Sequence, residues 1–321
     1  MSVLHIALVG PGIQAIPPKG WGAVEILVWD YAQELRQLGH HVMIVNTPNR
    51  DAIVTQIENA RPDFVHIQYD DFADVVPRIL PFTRAVAITS HFGYLDQYER
   101  WGGYHETFRR LLPPGSQRVL YCALSPSIQQ VYLRHGLPAN QIYLNNNGAN
   151  ARLLRYTEQP RYGDRTICVG KIEMRKRQHV LQPISAVWFA GNRHGTEFDY
   201  NHPHYLGEWD KPTLFESLTD YGNLVLLSDG EADPLVVKEA LVAGLGVVLS
   251  PWATANLDLS LPFITVVPLN RMDDVAYIRE AIETNRTAAL AQRPAIREYS
   301  QRFFWSNLVP PYVDLIRAAI Q

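Results

Sequence analysis

Glu231 and Glu239 stand eight residues apart, the first in an acidic turn and the second inside an apolar run that reads as a helix over 234–243. That helix is apolar on nearly every face and must be buried between other layers. A carboxylate there is costly unless something pairs with it. Lys238 is the wrong partner, because residues one apart point to different sides of a helix. Glu239 therefore needs a group from outside the helix. Asp233 fits the N-cap, Pro234 the first helical position and Gly244 the C-terminal stop. Free N–H groups at a helix start favour a phosphate, and a carboxylate accepts hydrogen bonds from hydroxyls. The plainer reading of the pair is a salt-bridged core Glu and a solvated turn Glu.

Three further stretches carry candidate chemistry. Lys171 and Lys176 follow an apolar strand at 166–169 and Gly170, and the basic run Arg175-Lys176-Arg177 would ordinarily be a solvated face. His91 follows the strand at 85–89, and ligand groups in open α/β sheets collect at the carboxyl ends of strands. Gly20 and Gly22 precede a helix with apolar positions 24, 27, 28, 31, 35 and 38 and an acid, Glu25, in its first turn. Small residues at a helix start let the backbone approach a ligand closely. Glu25 also has a bland role, since the helix dipole favours an acid there.

The elements that must hold these residues alternate between strand and helix. Strands are expected at 4–9, 42–45, 64–68, 85–89, 119–124 and 141–144, and again at 166–170, 187–190, 205–207, 224–227, 247–249 and 264–267. Residues 145–148 form a turn cluster, and 156–164 reads as a polar linker. Ser125 caps a helix running to His135. The segment 192–204 is polar with three histidines and is expected to be a loop. Gly10-Pro-Gly12-Ile-Gln-Ala15 has the form of a dinucleotide fingerprint, but a long Pro-Pro insertion precedes the helix and strand two ends in Asn46, so a nicotinamide cofactor is not expected.

Taken together, the Glu231…Glu239 pair resembles the Glu-x7-Glu signature of retaining glycosyltransferases of family 4. The Ile16-Pro-Pro-Lys-Gly-Trp-Gly-Ala-Val-Glu25 loop is similar to that family's Pro-Pro-x-x-Tyr-Gly-Gly-x-Glu loop. Gly170-Lys171 with Lys176 is similar to its Gly-Arg-x4-Lys pattern, with Lys171 at the Arg place. Asn147, Gly148 and Asn150 match its Asn-Gly-x-Asp hinge. Ala232-Asp233-Pro234 departs from the usual x-Phe-Gly after the first Glu. The resemblance covers essentially the whole chain and implies an α/β protein of GT-B fold: two Rossmann-like domains, a cleft between them, and a C-terminal helix crossing back to the first. The implied domains are 1–155, completed by 303–321, on the acceptor side and 156–302 on the donor side.

The activity implied is a retaining, metal-independent transfer, hexosyl by expectation, from a nucleoside diphosphate sugar to an acceptor hydroxyl in glycan or polysaccharide synthesis. Lys171, Lys176, Gly20, Gly22, Pro234 and Leu235 would meet the donor diphosphate, Glu239 the ribose, and Glu231 and His91 the sugar. No separate cofactor is implied; a UDP-sugar or GDP-sugar is the expected co-substrate, with a glycan, lipid-linked or small-molecule acceptor. Without a metal the leaving diphosphate must be stabilised by fixed positive charge and helix N-termini, and no strict Asp-x-Asp occurs in the chain. The segment 100–110, polar and aromatic, would line the acceptor side, and 206–209 the nucleobase. A sugar-nucleotide epimerase, a phosphorylase and a non-catalytic carbohydrate-binding relative share the architecture.

Composition agrees with a folded enzyme of this size: 321 residues suffice for two domains, with 47% hydrophobic and 19% charged residues. A formal charge of −3 gives no general attraction to nucleic acid. Cys122 and Cys168 lie in apolar runs and read as reduced core residues. No apolar run has transmembrane length and the start lacks a signal-peptide layout, so a cytoplasmic protein is expected, with peripheral membrane association compatible.

Overall fold

The structure, a computed structural model, describes residues 2–20, 22–100 and 116–321, with the backbone alone at 98–100. Trp21 and the 101–110 part of the expected acceptor-lining segment lie outside the described residues. The chain divides into two compact units, one of residues 1–18, 22–146 and 305–321, the other of 19–21 and 147–304. The boundary falls at 146/147 because the next residues are already tied into the second unit. The Asn147 N–H donates to Asp233 Oδ2 at 2.7 Å and the Ala149 N–H to the Phe303 carbonyl at 2.8 Å.

The first unit is a parallel sheet of β1 (His5–Val9), β2 (His41–Val45), β3 (Phe64–Ile67), β4 (Ala85–Thr89), β5 (Val119–Ala123) and β6 (Ile142–Leu144), in the order β2-β1-β3-β4-β5-β6. Helices α1 (Ala23–Gln37), α2 (Arg50–Ala60), α3 (Val76–Ile79) and α4 (Pro126–Arg134) connect its strands. The C-terminal helix Trp305–Ala319 returns to this unit: the Trp305 indole donates to Asp30 Oδ2 at 3.0 Å and its ring lies 4.7 Å from that of Tyr31, both on α1. Ser125 caps α4, its hydroxyl accepting from the Ile128 N–H.

The second unit holds β7 (Tyr162–Val169), β8 (Val187–Ala190), β9 (Tyr221–Leu226), β10 (Gly246–Leu249) and β11 (Ile264–Val266), parallel, in the order β11-β10-β9-β7-β8. Its helices are α5 (Gln178–Leu181), α6 (Lys211–Ser217), α7 (Leu235–Val242), α8 (Val275–Leu290) and α9 (Arg293–Ser300). Strands covered on both faces must be apolar on both. Leu224, Leu226, Val247 and Leu249 pack with Val237, Ala240 and Leu241 of α7. Val225, Leu227 and Val248 pack on the other face with Ile278 and Ile282 of α8.

Two sequence expectations change here. Residues 162–164, read as linker, belong to β7, where the Tyr162 ring packs 5.6 Å from that of Tyr221. Residues 205–207 make one isolated bridge, Phe189 to Tyr205, and form no strand, because Gly207 turns the backbone into the left-handed region (φ 78°).

In both sheets the strand order reverses next to the first strand, between β1 and β3 and between β7 and β9. Ligands of open α/β sheets sit at the carboxyl ends of strands beside such a reversal. In the second unit the flanking loops are 170–177 and 227–234, which hold Lys171, Lys176 and Glu231. In the first they are the loop after β1, which leads to the glycines at 20 and 22, and the loop after β3, which holds Gln68; His91 follows the adjacent β4.

One buried cation holds α7 to its neighbours. Arg293, 0% exposed, donates to the Thr157 carbonyl at 2.7 Å, the Tyr221 carbonyl at 3.0 Å, the Thr219 carbonyl at 2.7 Å and the Ala243 carbonyl at 3.1 Å. Ala243 closes α7, so the cation also meets the negative end of that helix dipole. Arg293→Met should strand these carbonyls without partners and destabilise the second unit by about 3–5 kcal/mol. Urea unfolding of the variant should show this as a lowered midpoint.

Candidate functional site

Gly170 opens the basic loop with φ 147°, and Gly191 lies against it so closely that a Cβ on Gly191 would meet the Gly170 carbonyl oxygen at 1.9 Å. The chain then runs through Lys171 to a short 3₁₀ turn at Met174–Lys176. The side chains of this loop form one chain of charge. Lys171 Nζ stands 3.4 Å from Glu173, and Arg175 stands 2.8 Å from Glu173 and 3.3 Å from Glu231. Lys176 Nζ donates to Glu231 Oε1 at 2.7 Å. Three cations meet two carboxylates in this chain of contacts, at the carboxyl end of β7. Arg175 further donates to Ser228 Oγ and to the Gly230 carbonyl, and its own carbonyl accepts from the Asp229 N–H at 2.8 Å. It ties the 227–231 loop to the basic loop.

The Lys176 and Glu231 side chains are each only 13% exposed. Burial pushes the Glu231 carboxyl up, but the Lys176 and Arg175 charges and hydrogen bonds from Lys176 and Ser228 outweigh it and hold the group below its ordinary range. Glu231 is thus an ionised acceptor.

Helix α7 begins one residue later than the sequence suggested. Pro234 is the N-cap and Leu235 the first helical residue. Asp233 does not cap; it is fully buried against Lys238, with both side chains 0% exposed. It also accepts from the Asn147 N–H, while the Asn147 side-chain amide donates to the Asp233 carbonyl at 2.7 Å. Burial pushes the Asp233 carboxyl up against the opposing pull of Lys238. Pro234 has no N–H to donate, so the first backbone donor of the helix start is that of Leu235. The N–H groups of Leu235 and Val236, at the start of the helix, have no partner among the described residues. Gly244 follows the helix in the left-handed region (φ 85°), as a C-terminal stop.

Glu239 is buried within α7 and its partner comes from outside, as its burial required. Lys211 Nζ, at the first position of α6, donates to Glu239 Oε1 at 2.6 Å. Lys171, Lys176 and Glu231 are therefore brought together, whereas Glu239 lies further along the same helix with its own cation. Sequence reasoning missed Arg175, Glu173 and Lys211. Arg175 lies in a run that reads as a solvated face, and no spacing links 211 to 239.

In the first unit Gly22 is the N-cap of α1, with φ 133°, and its carbonyl accepts from the Ile26 N–H at 2.9 Å. Gly20 lies in the stretch 19–21 that clusters with the second unit. Glu25 is buried in the first turn of α1. His91 Nε2 lies 2.9 Å from Gln68 Oε1, within hydrogen-bond distance. Behind it His66 bonds Tyr312 and Thr89, each at 2.7 Å. Burial pushes His91 down to about 4, and burial with the neighbouring His91 pushes His66 down to about 3. Among the described residues no group of three or more His, Cys, Asp or Glu could hold a metal ion, and no helix is long and apolar enough to cross a membrane.

No protein-family model matches this chain, and no curated protein does either. Solved structures match over almost its full length. A sucrose-phosphate synthase from Thermosynechococcus elongatus aligns with a TM-score of 0.77 at 17% identity, covering 98% of both chains. AviGT4, a glycosyltransferase involved in avilamycin A biosynthesis, aligns at 0.70 and 17% identity, covering 99% of this chain and 98% of its own. HepE from Anabaena, solved in complex with UDP and glucose, aligns at 0.72 and 14% identity, covering 98% of this chain and 100% of its own. The fold is accordingly GT-B, with two parallel-sheet α/β units and the terminal helix on the first.

The two imidazoles make stability depend on acid. Both folded values lie below the unfolded 6.5, so the unfolded chain binds more protons. Stability is full above that value and is lost as pH falls below it, by ~1 kcal/mol per pH unit for each ring. Denaturant unfolding of the first unit should weaken from pH 7 to pH 5, and His91→Asn should flatten the dependence by about half.

Proposed function

We propose that this protein is a retaining, metal-independent glycosyltransferase that moves a hexose from a UDP-sugar to an acceptor hydroxyl. The observation that carries the reading is the charge chain Lys171–Glu173–Arg175–Glu231–Lys176 at the reversal of a parallel sheet, beside a helix whose first N–H groups have no partner among the described residues. Fixed positive charge with free backbone donors suits a diphosphate. Lys171, Lys176 and the Leu235 N–H hold it, with Gly20 and Gly22 giving backbone access. Glu239 accepts from the ribose hydroxyls, and Glu231 and His91 meet the sugar. HepE, a protein of the same fold, is solved with UDP-glucose, which favours UDP over GDP as the nucleotide.

The acceptor oxygen forms its bond to the anomeric carbon on the face the diphosphate leaves. The carbon–oxygen bond to the β-phosphate breaks with its electron pair, and that phosphate oxygen takes the acceptor's proton. Products are the glycoside, with the anomeric configuration kept, and UDP. Lys176 and the start of α7 stabilise the charge that grows on the departing phosphate. His91, held neutral by burial, is not needed as a base. An epimerase would release no UDP, and a carbohydrate-binding relative would turn nothing over.

UDP should raise the melting temperature by mass action, more than GDP, ADP or CDP do. Lys176→Ala should abolish that shift and lower transfer by roughly 10²-fold or more. Arg175 still pairs with Glu231 in this variant, so the fold should persist. Retention of both the shift and the turnover by Lys176→Ala would sink the reading. Transfer should also continue in EDTA, with the product's anomeric coupling matching that of the donor.

A further inference from the structure

We infer that Gln68 is a positioning residue that fixes the tautomer of His91, placing the ring proton on Nε2 and leaving Nδ1 as a lone-pair acceptor for a sugar hydroxyl. The inference deepens the proposed function and rests on it for the contact between His91 and the sugar.

Gln68 is 1% exposed, just beyond β3, and its side-chain amide spans two imidazoles. Its Nε2 lies 3.2 Å from His66 Nδ1, and its Oε1 lies 2.9 Å from His91 Nε2. An amide nitrogen only donates and an amide oxygen only accepts. His66 Nδ1 is therefore a lone pair, and it receives the Tyr312 hydroxyl as well, at 2.7 Å. The His66 proton sits on Nε2 and is donated to Thr89 Oγ1 at 2.7 Å. At the other end, Gln68 Oε1 requires a donor, so the His91 proton sits on Nε2.

Both rings are neutral, since burial holds them to about 3 and about 4, and each carries one proton to place. Among the described residues His91 Nδ1 has no hydrogen-bond partner. Tyr312 comes from the C-terminal helix and Thr89 from the end of β4, so that helix and two strand ends together fix the chemistry of one ring nitrogen. A turned-over amide would reverse every bond and leave His91 with an outward Nδ1–H donor, which would recognise a different substrate atom.

Long-range proton–nitrogen correlation spectra of the full chain, labelled with ¹⁵N-histidine and recorded near pH 7, read this directly. His91 is assigned by the signals lost in His91→Asn. The expected result is a protonated Nε2 and an unprotonated Nδ1. Gln68→Met keeps the shape but removes the acceptor; it should give a mixture of His91 tautomers and lower kcat by roughly 10–100-fold, with UDP affinity little changed. Tyr312→Phe should keep the Nε2 proton, because Gln68 still donates to His66. A protonated Nδ1 in the unaltered protein, or unchanged His91 signals in Gln68→Met, would overturn the inference. The spectrum of the unaltered protein decides the polarity even if Gln68→Met does not fold. If the tautomer is as stated and no UDP-sugar is turned over, the relay stands and the proposed function falls.

Discussion

Burying a carboxylate costs several kcal/mol unless a cation is buried with it, and residues 231–239 bury three. Glu231 has Lys176 and Arg175, Asp233 has Lys238, and Glu239 has Lys211. Each cation arrives from a different direction: the loop after β7, the helix itself, and the start of α6. Together these pairs fix the turn before α7, its first turn and its middle relative to the sheet. The apolar contacts of Val237, Ala240 and Leu241 bury the helix, but they would tolerate a slide or a rotation that the ion pairs do not.

The pairs differ in what they leave available. Asp233 and Lys238 are closed to solvent, and their remaining capacity goes to Asn147 and to the Ala255 carbonyl. Their role is structural. Lys176 Nζ meets one carboxylate oxygen, Glu231 Oε1, and that same oxygen is also met by Arg175. An anion arriving at Lys176 can therefore draw it from Glu231 without leaving Glu231 unpaired. The two-cation arrangement lets one lysine change partner while the carboxylate stays put, which a single pair would not.

Much of this was legible in the sequence because it depends on local rules. Gly244 marks the end of α7, Ser125 caps α4, and the apolar runs at 85–89 and 187–190 coincide with β4 and β8. The need of Glu239 for an outside partner followed from burial alone. The identity of that partner did not, because Lys211 is 28 positions away and only the tertiary fold of the second unit brings the two together. The start of α7 shifted by one residue because Asp233 gains more from the buried Lys238 and Asn147 than from capping. Tyr205–Gly207 looked like a strand by apolarity, yet a backbone dihedral at one glycine ends it. Gln68 gave no signal at all, since a glutamine at a strand end is ordinary until two imidazoles meet it.

The stretch Ala232-Asp233-Pro234, where the sequence departs from the x-Phe-Gly pattern it otherwise resembles, is best understood together with Lys238. A glycine before a helix gives the loop its freedom of backbone; here the loop is held by a charge pair and by Asn147 at the first residue of the second unit. Asp233 would be an isolated buried charge without Lys238, and Lys238 an isolated cation on a helix 0% exposed at that point without Asp233. Losing either partner alone would cost several kcal/mol, so the two belong together. Their joint effect is confined to the inner side of the helix start. The N–H groups of Leu235 and Val236 take no part in it, so the charge pair anchors the helix without engaging those two donors.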